Sequence, residues 1–187
     1  IYTKWDVCTL RQNWQMWQSV SRETISLIQS EADKESFTDA KIFSGDSKKI
    51  RKSNIKWLSN NLQIREILWS FVSQSNRNAF GFDVTSMGDI QYTEYDSKYK
   101  GHYNWHHDIQ WDNTNAYDRK LSITIQLSES DDYEGGDFEF SECETPDNCR
   151  KLGTVLVFPS YLQHKVSPVT KGKRKSLVGW FEGPRWR

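Results

Sequence analysis

The sequence predicts a jelly roll of antiparallel strands supported by N-terminal helices, which is a mainly β, α+β architecture. Two observations carry this prediction. Apolar residues recur at helical spacing in the first half of the chain, whereas short alternating apolar and polar stretches begin at about residue 89. Many short strands with the helices segregated at one end are typical of such folds. The 187 residues fit a single domain, with residues 1–88 as helical support and residues 89–187 as the jelly-roll core.

Two helices are expected in the N-terminal half. The first runs from about Ser19 to Asp33, with Ser19 or Ser21 as its N-cap and Ile25 and Ile28 on one face. The second is marked by an i, i+3, i+4, i+7, i+8 stripe of Ile64, Ile67, Leu68, Phe71 and Val72. A stripe of this width needs a large apolar partner, most simply one face of a sheet.

Between these helices the chain is first basic and then apolar. The basic run contains Lys48, Lys49, Arg51 and Lys52. We interpret this run as a solvated edge rather than a binding site, and we expect a short strand between residues 48 and 58.

Alternating or apolar stretches predict strands throughout the second half of the chain. They are Ile90–Tyr95, Leu121–Leu127, Phe138–Phe140, Gly153–Pro159 and Lys175–Phe181. Gly135-Gly136 is interpreted as the turn of a hairpin. A further turn is expected at Thr170–Lys173, before the last strand.

Composition limits the partners and the compartment. Twenty-five basic residues balance twenty-five acidic ones, so a nucleic-acid partner is not expected. No apolar run is long enough for a membrane span. Three cysteines without dense spacing fit a reducing, cytoplasmic location. A local disulfide between Cys143 and Cys149 stays open, and a zinc site there is disfavoured because no CxxC spacing or nearby histidine accompanies them.

The strongest chemical signal is a pair of imidazoles with a carboxylate. His106 and Asp108 are two residues apart, so on a strand both side chains lie on one face while His107 points away. His164 follows a turn-like stretch that can return a second imidazole to the same place. A His-x-Asp triplet alone is a weak signal, because a histidine at a strand end often has only a structural role. Together the three residues form the ligand set of a non-haem Fe(II) oxygenase, with open coordination positions.

A second cluster lies ten residues beyond His164. Arg174 and Ser176 share one face of the predicted last strand, where a guanidinium and a hydroxyl can bind one buried carboxylate. Trp180 continues the same face and either lines a pocket or packs in the core. The alternative for Arg174 is a solvated basic turn, which is disfavoured because an unpaired arginine at the start of an apolar strand is costly.

Several blocks occur in an order that resembles a known family. They are Tyr103–Asp108, Arg119–Ser122, Asp132–Gly136, Gly153–Pro159, His164–Thr170 and Arg174–Phe181. The chain is similar to the prolyl 4-hydroxylase-like branch of the Fe(II)/2-oxoglutarate-dependent dioxygenases, and most similar to the PKHD-type hydroxylases. The resemblance covers about residues 90–181. The chain departs from the family pattern at Asp96–His102, where the link to the Tyr103–Asp108 block is longer than the usual one.

This resemblance implies a double-stranded β-helix as the form of the jelly roll. It implies Fe(II) held by His106, Asp108 and His164, and 2-oxoglutarate held by Arg174. Ser176, on the same strand face as Arg174, is the further candidate for binding this cosubstrate. An upstream tyrosine also contacts the cosubstrate in this branch, and Tyr95 is the candidate, with Tyr92 second. The implied reaction is hydroxylation of an unactivated C–H with release of succinate and CO2, using O2 and, as reductant, ascorbate.

The substrate is the least determined part of this hypothesis. A peptidyl residue such as proline is expected, and a small molecule is the alternative. Two other functions stay open, namely a jelly-roll binding module without turnover and a nucleic-acid demethylase of the same superfamily. The demethylases place a second arginine six residues beyond the first, and here that position is Trp180.

Overall fold

The computed structural model describes residues 12–39 and 50–187, so Cys8, Lys48 and Lys49 lie outside the described residues. Within them, two antiparallel sheets and two α-helices form the mainly β architecture expected from the sequence. The core is a double-stranded β-helix, or jelly roll, in which residues of both sheets line a common pocket. The helices pack on the outer face of the larger sheet.

The helices are α1 (Arg22–Asp33) and α2 (Leu62–Ser75), and a π-helical turn (Asn76–Phe80) follows α2. The strands of the first half are β1 (Gln15–Gln18), β2 (Thr38–Asp39), β3 (Arg51–Lys52), β4 (Asn54–Trp57) and β5 (Ser86–Asp96). Those of the second half are β6 (His102–His106), β7 (Tyr117–Gln126), β8 (Tyr133–Gly135), β9 (Phe138–Phe140), β10 (Thr154–Pro159), β11 (His164–Val166) and β12 (Val169–Pro184).

The larger sheet has the strand order β1-β10-β7-β12-β5-β4-β2, and β8 also pairs with β12. The smaller sheet has the order β3-β6-β11-β9. Strands β1 and β4 extend the larger sheet and β3 extends the smaller one, so the N-terminal half adds strands to both sheets as well as helices. The division into supporting and core halves at residue 88 stays a prediction.

Both helices begin where polar side chains cap them. The Ser21 hydroxyl accepts from the Thr24 amide at 3.2 Å, and Asn61 Oδ1 accepts from the Ile64 amide at 2.9 Å. The first helix therefore begins at the later of its two candidate caps. The residues that the helices bury against the sheet include Ile28 and Leu68, each 0% exposed. The apolar stripe predicted on the second helix therefore packs against one face of a sheet, as expected.

Two expected turns were wrong. Gly135 and Gly136 both have positive φ, 70° and 65°, yet they do not close a hairpin, because β8 pairs with β12 and β9 pairs with β11. The chain crosses between the sheets at this point. A Cβ at Gly135 would collide with the carbonyl oxygen of Pro168, which is why glycine stands there. The turn expected at Thr170–Lys173 is part of the continuous strand β12, where Gly172 has φ +67° at an irregular stretch of the pairing with β8.

Cys143 and Cys149 are free thiols, and Cys149 Sγ donates to the carbonyl oxygen of Pro146 at 3.0 Å. Burial raises the pKa of Cys149 to about 11, so this thiol stays protonated near neutral pH. Among the described residues, no helix has the length and apolar character needed to cross a bilayer.

Candidate metal centre

The sheet pairing brings the predicted histidines together. His106 ends β6 and His164 begins β11, and the two residues are direct partners in the antiparallel pair. Asp108 lies two residues beyond the end of β6, so strand periodicity alone does not orient it. Its amide donates to the carbonyl oxygen of Ser160 at 3.0 Å, which anchors the backbone beside the strand end. His107 is exposed, and its Nδ1 lies 2.7 Å from the carbonyl oxygen of Tyr161.

The three side chains have the geometry of one metal site. One potential ligand atom from each of His106, Asp108 and His164 lies within 4.8 Å of the others. The Nε2 atoms of His106 and His164 are each 3.7 Å from an oxygen of Asp108. This separation is too long for a hydrogen bond and leaves space for an ion that touches all three groups.

Backbone carbonyls orient both imidazoles. His106 Nδ1 lies 2.8 Å from the carbonyl oxygen of Asn104, and His164 Nδ1 lies 2.9 Å from that of Leu162. A carbonyl can only accept, so each Nδ1 carries the proton and donates it. In a neutral imidazole this leaves the Nε2 lone pair toward the other ligands, which is the tautomer that metal binding through Nε2 requires.

The carboxylate is held by hydroxyl groups. The Ser122 hydroxyl donates to Asp108 Oδ2 at 2.6 Å and lies 2.9 Å from the Ser160 hydroxyl. Burial by itself would raise the pKa of Asp108. The neighbouring His164 and His106, the Arg119 guanidinium and the Ser122 hydrogen bond outweigh it and lower that pKa below the usual value. Asp108 is therefore an anion at neutral pH.

Burial and the neighbouring His164 lower the pKa of His106 to about 3. Its imidazole is consequently neutral across the physiological range. Neutral imidazole nitrogens and one ionised carboxylate, with the remaining positions facing a pocket, are the donor set that suits Fe(II) with open coordination sites. The residues present therefore fit the metal that the sequence resemblance implies.

The predicted anion site lies in the same pocket. Arg174 and Ser176 on β12 are 4% and 2% exposed, and both line the pocket together with the three metal-site residues. Among the residues that the structure describes, no carboxylate forms an ion pair with Arg174. A buried guanidinium without an anion is unfavourable. A carboxylate ligand in the pocket would supply the missing charge, so the donor set also fits 2-oxoglutarate.

The two candidate tyrosines have different environments. Tyr95 is the register partner of Arg174 on β5, lines the pocket, and has its ring centroid 5.7 Å from the Arg174 guanidinium carbon. Tyr92 faces the other side of the sheet, within the core beneath the helices. Trp180 also lines the pocket. Its indole N–H is buried and has no acceptor among the described residues.

Arg51 is the pocket residue that sequence reasoning missed. The basic run was interpreted as a solvated edge, and for Arg51 this was wrong, because the side chain is 8% exposed and lines the pocket. Its guanidinium carbon lies 4.5 Å from the Tyr103 ring centroid, and Tyr103 stacks on His106 with ring centroids 3.4 Å apart. Lys52, the next residue, is exposed as expected. The sequence did offer one signal. Successive side chains of a strand point to opposite faces, so Arg51 and Lys52 could not both be solvated on the same face.

Comparisons with known proteins agree with this site. A sequence model of the 2OG-Fe(II) oxygenase superfamily matches residues 90–182, which include the three candidate ligands and Arg174. A PKHD-type hydroxylase of Prochlorococcus marinus (strain MIT 9301) is 29% identical over 181 residues, covering 91% of this chain and 78% of that relative.

Solved structures share the fold at low sequence identity. The viral collagen prolyl hydroxylase of Paramecium bursaria Chlorella virus-1, solved as a 2OG complex, has a TM-score of 0.68 at 17% identity, covering 92% of this chain and 97% of that one. A prolyl hydroxylase of Trichoplax adhaerens, in complex with a hypoxia inducible factor peptide fragment, has a TM-score of 0.71 at 15% identity. That alignment covers 90% of this chain and 83% of the other.

The chain belongs to the 2OG-Fe(II) oxygenase superfamily. Within it, the matches fall in the prolyl 4-hydroxylase-like branch, as the sequence blocks had suggested. The protein is accordingly an oxidoreductase of the hydroxylase class, and membership of this superfamily implies Fe(II) and 2-oxoglutarate as cofactor and cosubstrate.

Proposed function

We propose that the protein hydroxylates an unactivated C–H of a peptidyl residue such as proline, with release of succinate and CO2. One observation carries this proposal. The His106–Asp108–His164 cluster shares a pocket with the buried Arg174, for which the described residues provide no counter-ion. A metal site and a carboxylate site facing one pocket are what an oxidation that consumes O2 and a keto acid at a single metal ion would require.

In this proposal each pocket residue has a defined task. His106 and His164 bind Fe(II) through Nε2, and Asp108 binds it through its carboxylate. When bound, Fe(II) and 2-oxoglutarate would together activate O2. Ascorbate would serve as the reductant that keeps the iron ferrous.

The cosubstrate is held by residues of the larger sheet. The Arg174 guanidinium would hold its distal carboxylate by charge-assisted hydrogen bonds, and the Ser176 hydroxyl would donate to the same carboxylate. The Tyr95 hydroxyl donates to the same carboxylate from the neighbouring strand. Trp180 and Phe158 exclude water from the pocket, which strengthens these charge interactions.

Two similarities support a peptidyl substrate. One structural neighbour is a collagen prolyl hydroxylase, and another prolyl hydroxylase was solved with a peptide fragment. A small molecule is the alternative substrate. The geometry of the candidate ligands favours turnover over a binding module without chemistry, because all three groups can reach one ion. We place the reaction in the cytoplasm, in keeping with the free Cys143 and Cys149.

The proposal is tested by measuring 2-oxoglutarate consumption and succinate formation with Fe(II), ascorbate and O2. Proline-containing peptides and small amines or acids are added in parallel. We expect substrate-dependent succinate formation with a +16 Da product, as follows from insertion of one oxygen atom. Product formation that persists without added 2-oxoglutarate, in chelator-treated protein, would contradict the proposal.

A further inference from the structure

A second buried arginine faces the pocket from the smaller sheet. Arg51 is fixed by neutral groups only. Its Nε donates to the Ser53 hydroxyl at 2.8 Å, one terminal nitrogen donates to Gln91 Oε1 at 3.5 Å, and the guanidinium lies over the Tyr103 ring. Among residues 12–39 and 50–187, no carboxylate forms an ion pair with Arg51.

Neutral partners do not neutralise this charge. A guanidinium has five N–H donors, and Ser53 and Gln91 accept from two of them. The remaining donors are held in a planar fork that matches a carboxylate. Asp108 is the one acidic side chain among the described pocket residues, and it is committed to the metal site. The pocket therefore offers two buried cations, and the cosubstrate's distal carboxylate accounts for one.

Arg51 and Arg174 relate to different residues of β5. Arg174 is the register partner of Tyr95, whereas Arg51 reaches Gln91, which is the register partner of Val178. Tyr95 and Gln91 are four residues apart on β5, which corresponds to roughly 13 Å along a strand. The two arginines therefore face the pocket at separate positions along β5, from opposite sheets.

Another unused donor lines the same pocket. Trp180 follows Val178 by two residues on β12, so its side chain is on the pocket face. It is 6% exposed, and its indole N–H has no acceptor among the described residues. An unpartnered buried donor is unfavourable unless a ligand accepts from it. The pocket therefore has an excess of donors over acceptors.

We propose that Arg51 binds a carboxylate of the substrate, so that the enzyme acts on a carboxylate-bearing substrate. The carboxylate is either that of a small acid or the terminal carboxylate of a peptide. This inference rests on the proposed function, since it assigns the cosubstrate to Arg174 and leaves Arg51 to the substrate. The Trp180 indole N–H donates to a second acceptor of the same substrate.

The test compares acids with their amides, which have nearly the same shape but no charge. The probes are N-acetylglycine against N-acetylglycinamide, and acetyl-Ala-Pro-Gly with a free or an amidated C-terminus. Binding to protein loaded anaerobically with Fe(II) and 2-oxoglutarate is measured by calorimetry. We expect at least one acid to bind about tenfold more tightly than its amide. The pair that shows the preference distinguishes a small acid from a peptide terminus.

Substitutions connect this preference to Arg51. Arg51→Gln is expected to remove the acid preference, and Arg51→Lys to retain part of it because the charge stays while the fork is lost. Lys52→Gln removes an exposed charge from the same strand and is expected to leave the preference intact. The comparison of acid with amide in the native protein needs no variant, so it decides the question even if Arg51→Gln does not fold.

Equal binding of both acids and their amides to the native protein would overturn the inference. So would a 2-oxoglutarate titration that Arg51→Gln weakens as strongly as Arg174→Gln does, because Arg51 would then belong to the cosubstrate site. We expect Arg51→Gln to shift that titration by less than about threefold. Failure of the proposed function looks different, since the native protein would then not bind 2-oxoglutarate in an Fe(II)-dependent way at all.

Discussion

His106 and His164 are direct partners across an antiparallel strand pair, and their ring centroids are 4.2 Å apart. Each is oriented by a backbone carbonyl two residues earlier in the chain, so strand pairing and local hydrogen bonding fix the same atom, Nε2, toward the same point. A site built in this way is preorganised, since neither imidazole has to change its tautomer or its rotamer to bind a metal.

The hydrogen bond from Ser122 to Asp108 should control metal affinity. Ser122→Ala removes the donor that orients the carboxylate, and we expect Fe(II) to bind about 10- to 100-fold more weakly. Anaerobic titration with Fe(II) measures this effect. Ser75→Ala is the matched control, because Ser75 is also fully buried and hydrogen-bonded but accepts from Trp17, away from the pocket. An equal loss of Fe(II) affinity in Ser75→Ala would contradict this prediction, because the loss would then follow from removing any buried serine hydroxyl and not from the Ser122–Asp108 hydrogen bond.

Arg174→Gln should separate cosubstrate binding from metal binding. Losing a charge-assisted bidentate contact is expected to cost about 2–3 kcal/mol, which raises the 2-oxoglutarate concentration for half saturation by roughly 30- to 150-fold. Fe(II) affinity should stay within about threefold. Lys175→Gln, which removes the adjacent charge, serves as the control. Parallel losses of iron and 2-oxoglutarate binding in Arg174→Gln would indicate damage to the fold instead.

The tyrosine assignment can be decided with two phenylalanine substitutions. Tyr95 lines the pocket opposite Arg174, whereas Tyr92 packs beneath the helices. Tyr95→Phe removes one hydroxyl and should weaken 2-oxoglutarate binding by about 5- to 10-fold. Tyr92→Phe should leave it unchanged. The reverse order of effects in the same 2-oxoglutarate titration would mean that the upstream tyrosine is Tyr92.

The helix-to-sheet packing should affect stability without affecting the site. Leu68 is fully buried on α2, and Leu68→Ala is expected to lower the free energy of unfolding by about 2–5 kcal/mol. Leu62 on the same helix is 75% exposed, so Leu62→Ala should change it by less than about 0.5 kcal/mol. Urea denaturation measures both. Similar changes in the free energy of unfolding for Leu68→Ala and Leu62→Ala would contradict the burial assigned to Leu68.

Local patterns in the sequence predicted most of the fold and the candidate metal ligands. Alternation identified the strands, and the i, i+3, i+4 stripe around Leu68 identified the second helix, because both signals depend on neighbours in the chain. The errors came from contacts distant in sequence. Gly135-Gly136 has the conformation of a turn, but which strands flank it depends on β11 and β12. From the sequence, Arg51 was interpreted as a solvated charge. In the structure, the pairing of β3 with β6 places its guanidinium over the Tyr103 ring.

The most direct test is an anaerobic titration of the metal-free protein with Fe(II) and then 2-oxoglutarate, followed in the visible spectrum. We predict a weak charge-transfer band that requires both additions. It should be absent in His164→Ala and retained in His107→Ala, which removes an exposed neighbouring imidazole. A folded native protein that gives no band, or a band that survives in His164→Ala, would contradict the assignment of the iron and 2-oxoglutarate site.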